Sequence, residues 1–189
     1  MERWEIASFD DRHDVPGKIL DRAKIPRRFW TTNLDFMTES GAKAKYITYL
    51  RDLDEKLKKG TSLLLHGAYG TGKTACASLV LIEVLARSSN RVLFIQSAQI
   101  DWLARHRTED SWDLLVEAPF VVIDDVGAER QVNWNDAWFE EVLRGRYNDQ
   151  LPTILTTNIT PAALNEKFGW LEGVVRDSFE QIEMTEKYR

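Results

Sequence analysis

Two periods of apolar residues follow one another along the chain. Between Ala42 and Lys59, Tyr46, Tyr49, Leu50, Leu53 and Leu57 fall on one face at helical spacing with charges opposite, which predicts an amphipathic helix. Gly60 ends it. Short apolar runs then alternate with helical stretches. Ser62–His66 reads as a strand, Thr74–Arg87 as a helix, and Val92–Gln96 as a second strand followed by helical material around Ile100–Arg107 and Trp112–Glu117. Phe120–Ile123 is a third strand, apolar throughout, as expected where both faces are buried. Trp134–Tyr147 places Phe139, Val142, Leu143 and Tyr147 at helical spacing. Thr153–Thr157 is a fourth strand, Thr160-Pro161 is an N-cap with proline at the first helical position, and Ile182–Met184 forms a short last strand. Strand and helix in this alternation predict an α/β fold, a parallel sheet covered by helices on both faces.

Length and composition narrow the picture. A chain of 189 residues holds one domain with a substantial core. A net charge of −5 argues against coating nucleic acid with the whole surface and leaves room for a local basic patch. The single Cys76 excludes a disulfide framework or a cysteine zinc site, and the scattered His13, His66 and His106 supply no metal cluster. Met1-Glu2-Arg3-Trp4-Glu5 has no apolar signal core, and no stretch is apolar enough to span a bilayer, so a soluble, cytoplasmic protein without membrane contact is expected. Residues 1–24 are charge-rich, with Asp10-Asp11 and a Val15-Pro16-Gly17 breaker, and read as an arm ahead of a core over residues 25–189.

Chemistry concentrates at three strand ends. Gly67-Ala68-Tyr69-Gly70-Thr71-Gly72-Lys73-Thr74 fits the phosphate-loop pattern G-x-x-x-x-G-K-[ST], with a strand before it and a helix after. Glycines let backbone amides turn inward onto phosphate oxygens, and the helix adds the positive end of its dipole. Lys73 would reach the β- and γ-phosphates of ATP, and the Thr74 hydroxyl would join a Mg²⁺ shell. The third strand runs into Asp124-Asp125, at the sheet edge where ligands of open α/β folds bind. Asp124 would hold the magnesium, while Asp125 would orient and deprotonate an attacking water. Ile154-Leu155-Thr156-Thr157-Asn158 brings an amide to the same edge, where Asn158 would position that water. A strand between the phosphate loop and the acid pair disfavours a simple nucleotide-kinase layout, so hydrolysis is the expected reaction.

These motifs, with Asp124–Arg130, Arg146-Tyr147 and Pro152–Asn158, resemble the DnaC/IstB family of AAA+ ATPases. That family contains bacterial and phage replicative-helicase loaders and transposition helper ATPases, and is related to the DnaA initiators. The likeness runs from about residue 23 to residue 189. It implies an AAA+ (ASCE) P-loop NTPase core with a five-stranded parallel sheet and an ATP-dependent homo-oligomer with ATP between subunits. It places Ile25, Pro26 and Phe29 near the adenine, and Arg176 as the arginine that a neighbouring subunit receives at its γ-phosphate. Asp177 beside it offers a local ion pair as the alternative. Arg189 would be a second phosphate sensor or a solvated terminus. Against that pattern Asp125 stands in place of the more usual Glu, and neither an amino-terminal helicase-gripping domain nor a full C-terminal lid is expected.

Within the same resemblance, Trp102, Arg105 and Arg107 lie where related proteins face single-stranded DNA, the alternative being that Trp102 packs into the core. Trp4, Ile6 and Phe9 of the arm would form a docking peptide for a partner. The implied function is loading of a replicative DNA helicase onto single-stranded DNA. Its competitors are a transposition helper that assembles on duplex DNA with a transposase, and a nucleotide-gated scaffold with little turnover.

Overall fold

A computed structural model describes residues 15–87, 91–106, 109–127 and 136–187. Five strands, β1 (Ser62–His66), β2 (Val92–Gln96), β3 (Phe120–Val126), β4 (Thr153–Thr157) and β5 (Phe179–Glu183), form one parallel sheet of order β2-β3-β4-β1-β5. The phosphate-loop strand β1 therefore lies between β4 and β5, and β3 lies between β2 and β4. The helices among the described residues are α1 (Gly17–Arg22), α2 (Gly41–Arg51), α3 (Leu53–Lys59), α4 (Lys73–Arg87), α5 (Ala98–Arg105), α6 (Glu109–Glu117), α7 (Asp136–Asn148), α8 (Pro161–Lys167) and α9 (Leu171–Ser178). None is long and apolar enough to cross a membrane.

Strand side chains alternate between two cores. Leu63, Leu65, Phe94, Phe120, Val122 and Ile154 face a cluster built with Tyr46, Tyr49 and Leu50 of α2 and Leu79 and Val80 of α4. Leu64, Leu93, Ile95, Val121, Ile123 and Leu155 face the other, with Phe139, Val142 and Leu143 of α7 and Leu171 of α9. Because the pleat has period two and both faces are covered, Leu63–Leu65 of β1 and Phe120–Ile123 of β3 are apolar at consecutive positions. Helix α4 is buried along most of its length and crosses β2, β3 and β4.

Several boundaries differ from the sequence pattern. The single helix expected over 42–59 is broken at Asp52, whose φ of −91° and ψ of 14° leave helical geometry. The second segment keeps Leu53 buried and carries Lys56 to an ion pair with Glu180 of β5. Strand β5 begins at Phe179, earlier than the expected Ile182, and pairs residue for residue with β1. As an edge strand it keeps Glu180 and Gln181 polar, which hides it from an apolar-run criterion. The second half of the expected arm belongs to the core: Leu20 and Ala23 are buried in the first cluster, and the Phe94 amide of β2 donates to the Ala23 carbonyl at 2.8 Å. Trp4, Ile6, Phe9, Arg107, Trp134 and Arg189 lie outside the described residues.

Candidate nucleotide site

The site begins where β1 ends. Met184 donates its amide to the His66 carbonyl at 2.7 Å, so β5 stays close as the chain leaves the sheet. Gly67, at φ 139°, turns directly beneath it, and a Cβ there would lie 2.2 Å from the Met184 carbonyl oxygen. Only glycine fits. Gly70 and Gly72 have φ of 78° and 85°, the left-handed turns that a side chain resists and a phosphate cradle requires. The Thr71 hydroxyl donates to the Ala68 carbonyl at 2.9 Å and pins the loop across its base. Helix α4 starts at Lys73, directing its dipole into the loop, and Tyr46 anchors its first turn by donating to the Cys76 carbonyl at 2.7 Å.

Lys73 is buried, and its ammonium donates to the Gly67 and Ala68 carbonyls at 2.9 and 2.7 Å. Burial pulls its pKa down, and the nearby Asp125 and Asp124 carboxylates act against that. Asp124 is buried at the end of β3, and its Oδ1 accepts the Thr156 hydroxyl at 2.6 Å. Desolvation raises its pKa, opposed by hydrogen bonds from Thr156 and Thr74. Asn158, one step beyond β4, donates from its Nδ2 to Asp125 Oδ1 at 2.6 Å, so the acid and the amide expected to handle water touch each other.

A cleft of about 590 Å³ joins these groups: Tyr69, Gly70, Gly72, Lys73 and Thr74 of the loop meet Asp124, Asp125, Thr156 and Asn158 from the sheet. Arg28 and Phe29 close one side, with the Arg28 guanidinium 4.4 Å from the Phe29 ring centre. Ile25 and Pro26 line a separate groove with β2 and Trp102. Of the three residues expected near the adenine, the fold brings Phe29 into the cleft. Thr74 and Asp124 supply one hydroxyl and one carboxylate close enough to share a hydrogen bond. Two hard oxygen donors that leave the other positions to phosphate and water suit Mg²⁺. No cluster of three His, Cys, Asp or Glu side chains able to hold a metal independently occurs among the described residues.

Arg176 lies elsewhere. It sits on α9 just before β5, mostly exposed, with Nε donating to Asp177 Oδ1 at 3.1 Å. β1 and β5 run parallel with Ser62 opposite Phe179 and His66 opposite Glu183, so Arg176 and the phosphate loop lie at opposite ends of the sheet. Trp102 on α5 is 59% exposed and stacks on His106, ring centres 4.8 Å apart. Arg105 on the same helix donates to Asp101 at 2.8 Å. The sequence pattern passed over Arg28, Ser97 and Thr156. A buried Thr-Thr pair following Ile154 and Leu155 at the end of β4 was the available signal for Thr156.

A parallel sheet in this strand order, with a phosphate loop after β1, an acid pair on β3 and a polar amide after β4, defines an AAA+ P-loop nucleotide-binding protein. The chain belongs to the IstB-like ATP binding protein family, whose model matches residues 5–172. It is 24% identical over 135 residues to the replicative helicase loader DnaI of Bacillus subtilis, across 68% of this chain and 43% of that one. It is 29% identical over 150 residues to an ATP-binding protein of a Mycobacterium tuberculosis insertion sequence, across 75% of this chain and 58% of the relative. The chain thus spans about half the length of these relatives. A crystal structure of DnaI superposes with a TM-score of 0.72 at 25% identity, covering 85% of this chain and 94% of that one.

Proposed function

We propose that this protein hydrolyses ATP in an assembly of its own copies on single-stranded DNA, and that the assembly loads a replicative DNA helicase. The observation that carries the reading is the division of the machinery between the two ends of the sheet. Lys73, Asp124, Asp125 and Asn158 meet in one cleft, whereas the exposed Arg176 lies beyond the far end of β5, more than about 13 Å along a five-residue strand. An arginine so placed serves a neighbour's nucleotide, not its own.

In the reaction, a water oxygen attacks the γ-phosphorus in line and the bond to the β,γ-bridging oxygen breaks, giving ADP and phosphate. Asp125 takes the water's proton and Asn158 holds the water in line. Lys73 and the loop amides bear the charge on the phosphate oxygens, and a neighbour's Arg176 adds to this. Bound Mg²⁺, held through Thr74 and Asp124, would neutralise phosphate charge. Binding closes the interface and hydrolysis loosens it. Trp102, exposed beside Arg105 and stacked on His106, supports a surface on α5 for unpaired bases. Likeness to DnaI supports the helicase as partner.

A second reading, a transposition helper that assembles on duplex DNA, is favoured by the 29% identity to the insertion-sequence protein. Hydrolysis measured against protein concentration, alone and with single-stranded or duplex DNA, tests both, with Lys73→Ala as the blank. The loader reading expects specific activity that climbs with concentration and again with single strands. Stimulation by duplex alone would favour the helper, and a flat, DNA-blind rate would leave a nucleotide-gated scaffold.

A further inference from the structure

Strands β3 and β4 slip out of register where β3 reaches the acid pair. Ile123 faces Leu155 and Val126 faces Thr157, so Asp124 and Asp125 together oppose the single residue Thr156. Asp125 takes the left-handed region at φ 62°. In an unbroken strand two consecutive side chains point to opposite faces. This bulge is what brings both carboxylates to one cleft.

A bulge removes backbone groups from the ladder, and inside a protein those groups need other partners. Here hydroxyls take them. Thr156 Oγ1 accepts the Asp125 amide at 2.9 Å and donates its own proton to Asp124 Oδ1 at 2.6 Å. Ser97, at the end of β2, donates to the Asp125 carbonyl at 3.0 Å. Thr157 donates to the Val126 carbonyl at 2.6 Å. All three side chains are buried, at 2% exposure for Thr156 and Ser97 and 0% for Thr157. They reach the bulge from its two sides, Ser97 from just past β2 and the threonines from β4.

We propose that Thr156 is a positioning residue for hydrolysis: one hydroxyl grips Asp124 by its side chain and Asp125 by its backbone, and so fixes the two carboxylates relative to each other. Ser97 and Thr157 complete the clamp. A hydroxyl is the group that fits, because it donates to a carboxylate and accepts an amide through the same small oxygen. Valine keeps the shape and makes neither bond, while serine keeps both bonds. The inference rests on the ATPase reading, since the acid pair is what it positions.

The test compares Thr156→Val, Thr156→Ser and Ser97→Ala with the unaltered chain, at the DNA and protein concentrations where hydrolysis is fastest. Thr156→Val is expected to bind nucleotide within about threefold of the unaltered affinity and to lose kcat by about 100-fold, with Thr156→Ser restoring most of it. Exchange of the Asp125 amide, followed by NMR without nucleotide, is expected to be slow in the unaltered chain and in Thr156→Ser, and fast in Thr156→Val. An unchanged kcat in Thr156→Val, or an equal loss in Thr156→Ser, would overturn the proposal. If Thr156→Val does not fold, Ser97→Ala decides: a kcat lower by about tenfold with affinity kept supports the clamp, and an unchanged kcat overturns it. If the unaltered chain hydrolyses no ATP, the ATPase reading fails by itself. Amide exchange still judges the clamp, with faster exchange in Thr156→Val supporting it and equal exchange overturning it.

Discussion

Arg146 and Asp125 illustrate two opposite uses of a charged side chain. Arg146 is fully buried without a carboxylate partner among the described residues. It donates to Thr153 Oγ1 at 2.8 Å and to the carbonyls of Leu115, Val116, Ala118 and Pro152 at 2.8 to 3.2 Å. Burial pushes its pKa down to about 9, so it stays charged at neutral pH and ties α7 to the end of α6 and to the turns that enter β3 and β4. Arg146→Met leaves those carbonyls without a donor and is expected to cost about 3 kcal/mol, read from urea unfolding, with nucleotide chemistry falling only as the folded fraction falls. Asp125→Asn should behave the other way. The amide keeps the left-handed backbone, which Asn tolerates, so stability and ATP affinity are expected to hold. Loss of the base is expected to lower hydrolysis by about 100-fold or more in a steady-state phosphate assay. Lys73→Ala is expected to weaken ATP binding at least about tenfold by equilibrium titration, because the loop loses its one ammonium.

At the scale of elements, the junction of β1, its loop and β5 is the tightest place in the site. Gly67 and Gly70 both sit at positive φ, yet their surroundings differ. A Cβ on Gly67 would strike the Met184 carbonyl at 2.2 Å, whereas one on Gly70 meets nothing within 4 Å. Gly70→Ala is expected to cost about 1 kcal/mol from backbone strain alone. Gly67→Ala must also push β5 from β1, and is expected to cost at least about 2 kcal/mol more, with nucleotide binding lost in the same variant. Urea midpoints and ATP titration on the two variants measure the difference. The phosphate-loop motif identifies both glycines equally. Only the course of β5 past the loop separates their roles, and a pattern of local residues carries no record of it.

For the whole molecule, the proposed assembly makes Arg176 the residue to test. It lies at the end of the sheet away from its own phosphate loop and pairs with Asp177 next door. Under that proposal two impaired variants are expected to rescue each other. Arg176→Ala keeps an intact cleft and cannot complete a neighbour's, while Asp125→Asn has an impaired cleft and a usable arginine. Each alone is expected to hydrolyse ATP at least about tenfold more slowly than the unaltered chain. A mixture is expected to recover a substantial part of the rate, rising with total concentration. Mixed rates equal to the average of the separate rates would mean that the site is complete within one chain.

The sequence by itself determined the order of strands and helices, the phosphate loop, the acid pair and Asn158. Those features are local: an apolar run has a length, a helix has a period, and a glycine-rich turn has fixed spacings. It also determined the family, through motifs spread over most of the chain. The tertiary structure alone decided that β5 starts at Phe179, that Ile25 and Pro26 line a groove apart from the cleft, and that Arg176 lies at the end of the sheet opposite its own loop. It alone decided how Asp124 and Asp125 share one cleft, at a bulge whose backbone is bonded by Thr156 on β4 and Ser97 just past β2, 31 and 28 residues from Asp125 along the chain. Contacts between residues so far apart are made by folding, and no local spacing encodes them.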